Sequence, residues 1–211
     1  FRSGFFSSYE DIASSPVQFG QVSRPGDIKY KDLNHDGVID SNDQAPIGYN
    51  PVPEMTFSLA AGLNWKGIDF SILLQGAARS SIYLQQDIAW DNFWGNYYEE
   101  HIGRWTPETA ATATYPRFTK AATAAHPNYY KSDYWLKDSK YLRLKNIQLG
   151  YTIPRKLLKK FGVRSLRVYA NAYNLFTWDN VKKVDPESSN NSNGQFYPQQ
   201  KVINFGINLN F

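Results

Sequence analysis

Between Met55 and Leu74 the apolar residues change phase once, across a two-residue break. Phe57, Leu59, Ala61, Leu63 and Trp65 stand at odd positions, with Thr56, Ser58, Ala60, Gly62 and Asn64 between them. After Lys66-Gly67 the apolar set moves to even positions, Ile68, Phe70, Ile72 and Leu74. Strand side chains alternate faces with a period of two. A single apolar face therefore survives the switch only in a hairpin that puts Trp65 opposite Ile68, Leu63 opposite Phe70 and Leu59 opposite Leu74. Thr56, Ser58, Asn64, Asp69, Ser71 and Gln75 share the other face. The hairpin is greasy on one side and wet on the other.

Three more segments read as strands: "YLRLKNIQLGYTI" (Tyr141 to Ile153), "RSLRVYANAYNLFTW" (Arg164 to Trp178) and "QKVINFGINLNF" (Gln200 to Phe211). The last is the cleanest, with Ile203, Phe205, Ile207, Leu209 and Phe211 against Asn204, Gly206, Asn208 and Asn210. The fourth strand stays open in orientation, because Leu166, Val168 and Phe176 share parity with Asn174 while Tyr169, Tyr173 and Leu175 share the other.

The connections sort by length. Lys66-Gly67 joins the first two strands, and "PRKLLKKFGV", one or two helical turns opening at Pro154, joins the third and fourth. Residues 80–139, holding "IAWDNFWGNYYEEHIGRW" as a possible helix, and residues 179–199 are long loops. Short turns thus lie at one end of the strands and long loops at the other, with Trp65, Tyr151 and Phe211 near the short-turn end. An antiparallel transmembrane β-barrel of the outer membrane has this pattern. Five strands alone leave open edges that lipid cannot satisfy, so further strands are expected upstream. The chain divides into an extracellular loop region, 1–53, rich in Gly, Pro, Ser, Asp and Asn, and a barrel portion, 54–211.

Composition agrees with strands: 16% of the 211 residues are aromatic and there is no Cys. The absence of Cys excludes a disulfide framework and a thiolate metal site. A net charge of +4 is scattered, and its densest group, Arg155 to Lys160, is short, which argues against nucleic-acid binding.

Several motifs occur in order: "PGDIKYKDLNHDGVIDSNDQAPIG" (Pro25 to Gly48), "RWTPE" (Arg104 to Glu108), "YPRF" (Tyr115 to Phe118), "YLRLKNIQLGYTIP", "NLFTW" (Asn174 to Trp178), "DPE" (Asp185 to Glu187) and "INFGINLNF". In these the chain resembles the C-terminal portion of SusC/RagA-type TonB-dependent transporters of Bacteroidota outer membranes. The resemblance implies a barrel of about 22 strands that imports oligosaccharides or peptides. It also implies a SusD-like lipoprotein lid, a TonB complex acting through an N-terminal part absent from this chain, and a barrel assembly machinery that reads the terminal strand at Phe211.

Within the first motif, Asp32, Asn34, Asp36, Asp40 and Asp43 occupy positions 1, 3, 5, 9 and 12 of a calcium-type loop, with Gly37 at 6 and the Val38 carbonyl at 7. Asp at position 12 is shorter than the usual Glu, as in the dockerin variant. The same side chains also suit consecutive Asx-turns with no metal. On either reading the loop braces a long extracellular segment. No cofactor is required, and calcium is the one candidate.

Trp90, Trp94, Tyr97, Tyr98 and Trp105 are candidate substrate or partner contacts, by stacking on sugar rings or apolar peptide side chains. Packing of the loop upon itself is the competing reading. Glu99, Glu100 and His101 are expected on a solvated surface, since helical neighbours diverge by about 100° and cannot flank one bond. His35, His101 and His126 lack metalloprotease spacing, and no nucleophile motif is present, so no enzyme is expected. A secreted calcium-binding β-module with a carbohydrate-binding role is the alternative. A barrel enzyme acting through Glu99, Glu100 or His101 is a third reading.

Overall fold

The computed structural model describes residues 1–120, 123–182, 184–188 and 197–211. These fall into two compact units: Phe1–Tyr49 with Ile82–Lys137, and Asn50–Ser81 with Asp138–Glu187 and Tyr197–Phe211. The long connection thus packs with the N-terminal segment as one folded body. Of the long loop at 179–199, residues 183 and 189–196 lie outside the described residues.

The second unit is an antiparallel meander of β1 (Met55–Trp65), β2 (Ile68–Ala78), β3 (Tyr141–Thr152), β4 (Ser165–Asp179) and β5 (Val202–Asn210), each paired with its chain neighbour. The hairpin register is the expected one, with Trp65 opposite Ile68, Leu63 opposite Phe70 and Leu59 opposite Leu74. Its two-residue turn has positive φ at Lys66 (47°) and Gly67 (89°). That matches the twist of the flanking strands, and a Cβ at Gly67 would come within 2.7 Å of the Thr152 carbonyl oxygen. The link between β3 and β4 forms an α-turn, Arg155–Leu158, and a 3₁₀ turn, Lys159–Phe161.

Apolar residues run across the sheet in rows. Leu63, Phe70, Leu149, Ala170 and Phe205 stand side by side, as do Trp65, Ile68, Tyr151, Val168 and Ile207. This resolves β4: Val168, Ala170, Ala172, Phe176 and Trp178 share the apolar face. The parity of β4 holds through a bulge at which Asn174 takes φ 50°. β3 changes parity instead, because Lys145 is an extra residue between Leu144 and Asn146 relative to β2. Leu142 and Leu144 therefore join Ile147, Leu149 and Tyr151 on one face.

The apolar face is uncovered. Leu59 is 62% exposed, Leu149 56%, Ile207 69% and Phe205 82%. Such a contiguous patch exceeds what a water-facing monomer tolerates, whereas hydrocarbon covers it without cost. The opposite face is polar and self-paired. Arg167 donates through Nε to Asp69 Oδ1 at 2.8 Å, and Asn204 Nδ2 donates to Asn171 Oδ1 at 3.0 Å. β1 and β5 each have one strand neighbour among the described residues, so the sheet is a wall segment and not a closed structure.

The first unit departs from the irregular loop expected of residues 1–53. Arg2–Phe5 pairs antiparallel with Ile28–Tyr30, Val17–Gln18 pairs in parallel with Val38–Ile39, and Tyr9–Ala13 is a short helix capped by the Ser8 side chain. The aromatic-acidic stretch is not one helix either. It holds 3₁₀ turns at Gln86–Ile88 and Glu99–Gly103, because positive φ at Asn92 (52°), Trp94 (52°) and Gly95 (78°) breaks the helical path.

The facing predicts an asymmetry between neighbours on β5. Phe205→Arg should lower the folding free energy in lipid by about 2–4 kcal/mol if the site lies near the bilayer midplane, while Asn204→Arg, on the polar face, should change it far less. Equal effects in a lipid refolding titration would contradict the assigned faces.

Candidate functional site

The first unit is built on buried polar residues that hold its irregular backbone. Gln18, 2% exposed, acts as a strand partner in place of backbone, donating to the Ile28 carbonyl at 3.0 Å and accepting from Tyr30 N at 2.6 Å. Asp27, also buried, accepts from Asn128 Nδ2 at 2.9 Å and from Arg24 N at 2.8 Å, and its carboxylate lies 2.7 Å from Arg117 Nε. A buried carboxylate needs such pairing, since an unpaired one would cost several kcal/mol, roughly. Gly26 has φ +86°, and a Cβ there would sit 2.6 Å from the Trp105 ring and 2.8 Å from Arg117 Cβ. The "PGD", "RWT" and "YPRF" motifs, far apart in sequence, thus meet at one junction.

A second junction centres on Asp91, which is fully buried. Its carboxylate accepts from the Tyr115 hydroxyl at 3.1 Å, from the Tyr129 hydroxyl and from Thr119 N at 3.0 Å. Burial, and then the Asp91 charge, pushes both phenol pKa values well above the ordinary tyrosine range, so both hydroxyls stay protonated as donors.

The candidate contact residues separate around this core. Trp90 is 3% exposed and packs 4.8 Å, between centroids, from Tyr129. Trp105 is half-buried over Gly26, and the half-buried Tyr98 donates its hydroxyl to the Asp87 carbonyl. These three serve the loop's own packing. Trp94, 86% exposed, presents its ring outward, and Tyr97, 57% exposed, rests one side of its ring 5.5 Å from the Phe118 ring and leaves the rest open.

Glu99 and Glu100 are exposed, but His101 corrects the expected solvated surface: it is buried. Its Nδ1 accepts from Tyr98 N at 3.0 Å and its Nε2 lies 3.2 Å from the Ala89 carbonyl oxygen, a geometry for the neutral tautomer protonated on Nε2. Both ring nitrogens are committed to backbone. The residue is a structural strut, and what buries it is contact with the Tyr115 ring at 4.5 Å and the Phe118 ring at 5.7 Å.

The 32–43 loop forms successive Asx-turns. Asp32 accepts from His35 N at 2.6 Å and Gly37 N at 2.9 Å, Asn34 from Asp36 N at 3.0 Å, Asp36 from Val38 N at 2.9 Å, and Asp40 from Asn42 N at 2.7 Å. Asp43 closes the loop, accepting from Leu33 N at 2.6 Å and Asp40 N at 2.9 Å. These bonds run through the six positions of the calcium-type loop, the Val38 residue among them, and brace its turn. Among the described residues no group of three or more His, Cys, Asp or Glu side chains gathers as metal ligands.

One arrangement in the second unit was not read from the sequence. Arg143, 2% exposed, donates from Nη2 to Asp185 at 2.8 and 2.9 Å, from Nη1 to Glu187 at 3.0 Å and from Nε to Thr177 Oγ1 at 2.9 Å. Tyr141 adds a hydroxyl to Glu187 at 2.5 Å. Three of these bonds go to the "DPE" segment and the fourth to Thr177 of β4, so this clamp ties the loop after β4 back to β3. The signal was a charged Arg inside the strand "YLRLKN".

Asp43 gives the loop an acid dependence. Hydrogen bonds from the Asp40 and Leu33 backbone N–H groups hold its carboxyl below the usual carboxylate range. A depressed folded value means that the bracing is complete above about pH 4 and is lost as pH falls through the folded value. Protease cleavage within residues 32–43 should therefore rise on acidification, and Asp43→Ala should raise it at neutral pH and flatten the dependence. A loop equally resistant in both forms would remove Asp43 as the closing brace.

No family model matches the chain. TonB-dependent receptor P26 of Formosa agariphila is 31% identical over 225 residues, covering 99% of this chain and 22% of the receptor. TonB-dependent receptor SusC of Bacteroides thetaiotaomicron is 26% identical over 195 residues, covering 92% of this chain and 18% of SusC. The chain thus spans about a fifth of the length of these curated relatives. Among solved structures, the RagAB peptide transporter superposes with a TM-score of 0.65 at 22% identity, over 84% of this chain and 20% of that chain. The RagAB peptide importer in its open-open state gives 0.65 at 24% identity, over 88% and 21%. Alternating faces, loop sorting and similarity along nearly the whole sequence agree: the chain is a portion of an outer-membrane β-barrel, similar in sequence to TonB-dependent receptors, SusC among them, and sharing the fold of RagAB.

Proposed function

We propose that this chain is the barrel-wall and outer-loop portion of a transporter that imports oligosaccharides or peptides across the outer membrane, together with a SusD-like lipoprotein and driven by TonB. The observation that carries this is similarity to TonB-dependent receptors over 99% of the chain. RagAB among the structures, described as a peptide importer, supports the peptide class, and SusC among the relatives supports TonB-dependent uptake with a lipoprotein partner.

In this reading the chain's own chemistry is positional. β1 to β5 form wall, the Arg143 clamp fixes the loop after β4, and the Asp27 and Asp91 junctions hold the first unit as a shaped surface. Trp94 and Tyr97 are its contacts for a sugar ring, an apolar peptide side chain or the lipoprotein, because exposed aromatics offer large area at low entropy cost. The 32–43 loop braces this surface through its Asx-turns, and calcium is not required. Glu99, Glu100 and His101 have no reacting role.

The test is uptake by the full-length receptor in its host, with deletion and complementation, on panels of oligosaccharides and of peptides. Deletion should abolish growth on one class in a TonB-dependent way. Trp94→Ala with Tyr97→Ala should lower uptake about tenfold, in line with two lost contacts of about 0.5–1.5 kcal/mol each, at an unchanged amount in the membrane. Unimpaired growth of the deletion strain on both classes would contradict the reading.

A further inference from the structure

The apolar face of the second unit is not uniform. Where β3, β4 and β5 run side by side, Ala170 stands between Leu149 and Phe205 in one row, beside Tyr151, Val168 and Ile68 in the next. The small side chain leaves a shallow, open and mostly apolar groove of about 610 Å³, whose lining these six residues share with Gly150 and Tyr169. It opens on the face that hydrocarbon covers, so its occupant is itself hydrocarbon.

The groove lies toward the short-turn end. Val168 is four residues beyond Arg164, about 13 Å at roughly 3.3 Å per residue, and its partner Tyr151 stands four residues before Arg155. Pro154 to Arg164, the link between the two strands, carries Arg155, Lys156, Lys159, Lys160 and Arg164 and no acidic residue. All five cations are exposed, and none takes part in an ion pair among the described residues. Between them Leu157 (65% exposed) and Phe161 (76%) also face outward. Cations interleaved with exposed apolar side chains, at the rim of a lipid-facing wall, suit the boundary between headgroups and acyl chains.

We infer that the link and the groove together form a site for one anionic phospholipid of the inner leaflet, its phosphate held by the Arg155–Arg164 cations and an acyl chain seated over Ala170. Each half needs the other. A basic rim alone attracts any anion, and an apolar groove alone accepts any acyl chain, but their continuity through β3 and β4 selects a lipid that carries both. The inference rests on the outer-membrane placement of the strands, with the short turns on the periplasmic side.

The experiment uses the full-length receptor, purified from membranes and exchanged into nanodiscs holding equal parts phosphatidylglycerol and phosphatidylethanolamine. Heat-modifiable migration first establishes that the barrel is inserted, so failure of the membrane reading appears separately as a barrel that never inserts. Native mass spectrometry then counts retained lipids. The wild type should retain phosphatidylglycerol over phosphatidylethanolamine by about tenfold, as expected when one or two cations contribute about 1 kcal/mol each. A variant with Arg155, Lys156, Lys159 and Lys160 each changed to Gln should retain the two equally. Ala170→Phe, which fills the groove and leaves every charge in place, should lose the retained lipid. Equal retention by the wild type, or a preference that survives both variants, would overturn the site. A protein dimer that Ala170→Phe dissolves would assign the groove to a second copy and equally overturn it.

Discussion

Everything in the second unit follows from the requirement that a strand in hydrocarbon pair its backbone along both edges and turn only apolar side chains outward. The meander meets the first condition between neighbours, and the rows through Leu63 and Trp65 meet the second. Polar residues are thereby confined to the inner face, where they pair with one another, as Arg167 does with Asp69. Among the described residues β1 and β5 each keep one unpaired edge, and the chain spans about a fifth of the length of the curated relatives it matches.

Against that rigid wall the loops need a different kind of order. A long segment with few ladder bonds must satisfy its backbone through side chains, and here Gln18, Asp27, Asp91, Asn128 and His101 do so from buried positions. These groups look like reactive chemistry when read singly. In place, each is bonded to backbone or to another buried side chain, and Asp27 among them lies in the "PGD" motif. What is left outward is small in number: Trp94, and the outer side of Tyr97, whose other side rests on Phe118. Arg143 extends the same logic to the loop after β4, by using a buried guanidinium where a strand interior would ordinarily carry a neutral side chain.

The hairpin was legible because a period of two and a single change of phase leave one register. β5 was legible for the same reason. β4 was not, since Asn174 in the left-handed region shifts the pairing without changing the parity of the apolar set. The compensating extra residue, Lys145, lies on β3, where the interval from Leu144 to Ile147 was the available signal. The order within residues 1–49 and 82–137 was largely hidden, because its bonds join positions about a hundred residues apart, as between Asp27 and Asn128. Burial of His101 depended on the Ala89 carbonyl and the Tyr115 ring, neither of which sequence spacing brings near it. The Asx-turns of the 32–43 loop were readable because they are local.

The central claim is that one face of this sheet meets lipid and the other does not. Spin labels placed singly along the β1–β2 hairpin of the full-length receptor in bilayers test it most directly. Labels at Phe57, Leu59, Leu63, Phe70, Ile72 and Leu74 should be accessible to oxygen dissolved in the hydrocarbon, and labels at Ser58, Asn64, Ser71 and Gln75 should be shielded from it, alternating residue by residue. Uniform accessibility along the hairpin, or the opposite phase, would contradict the account.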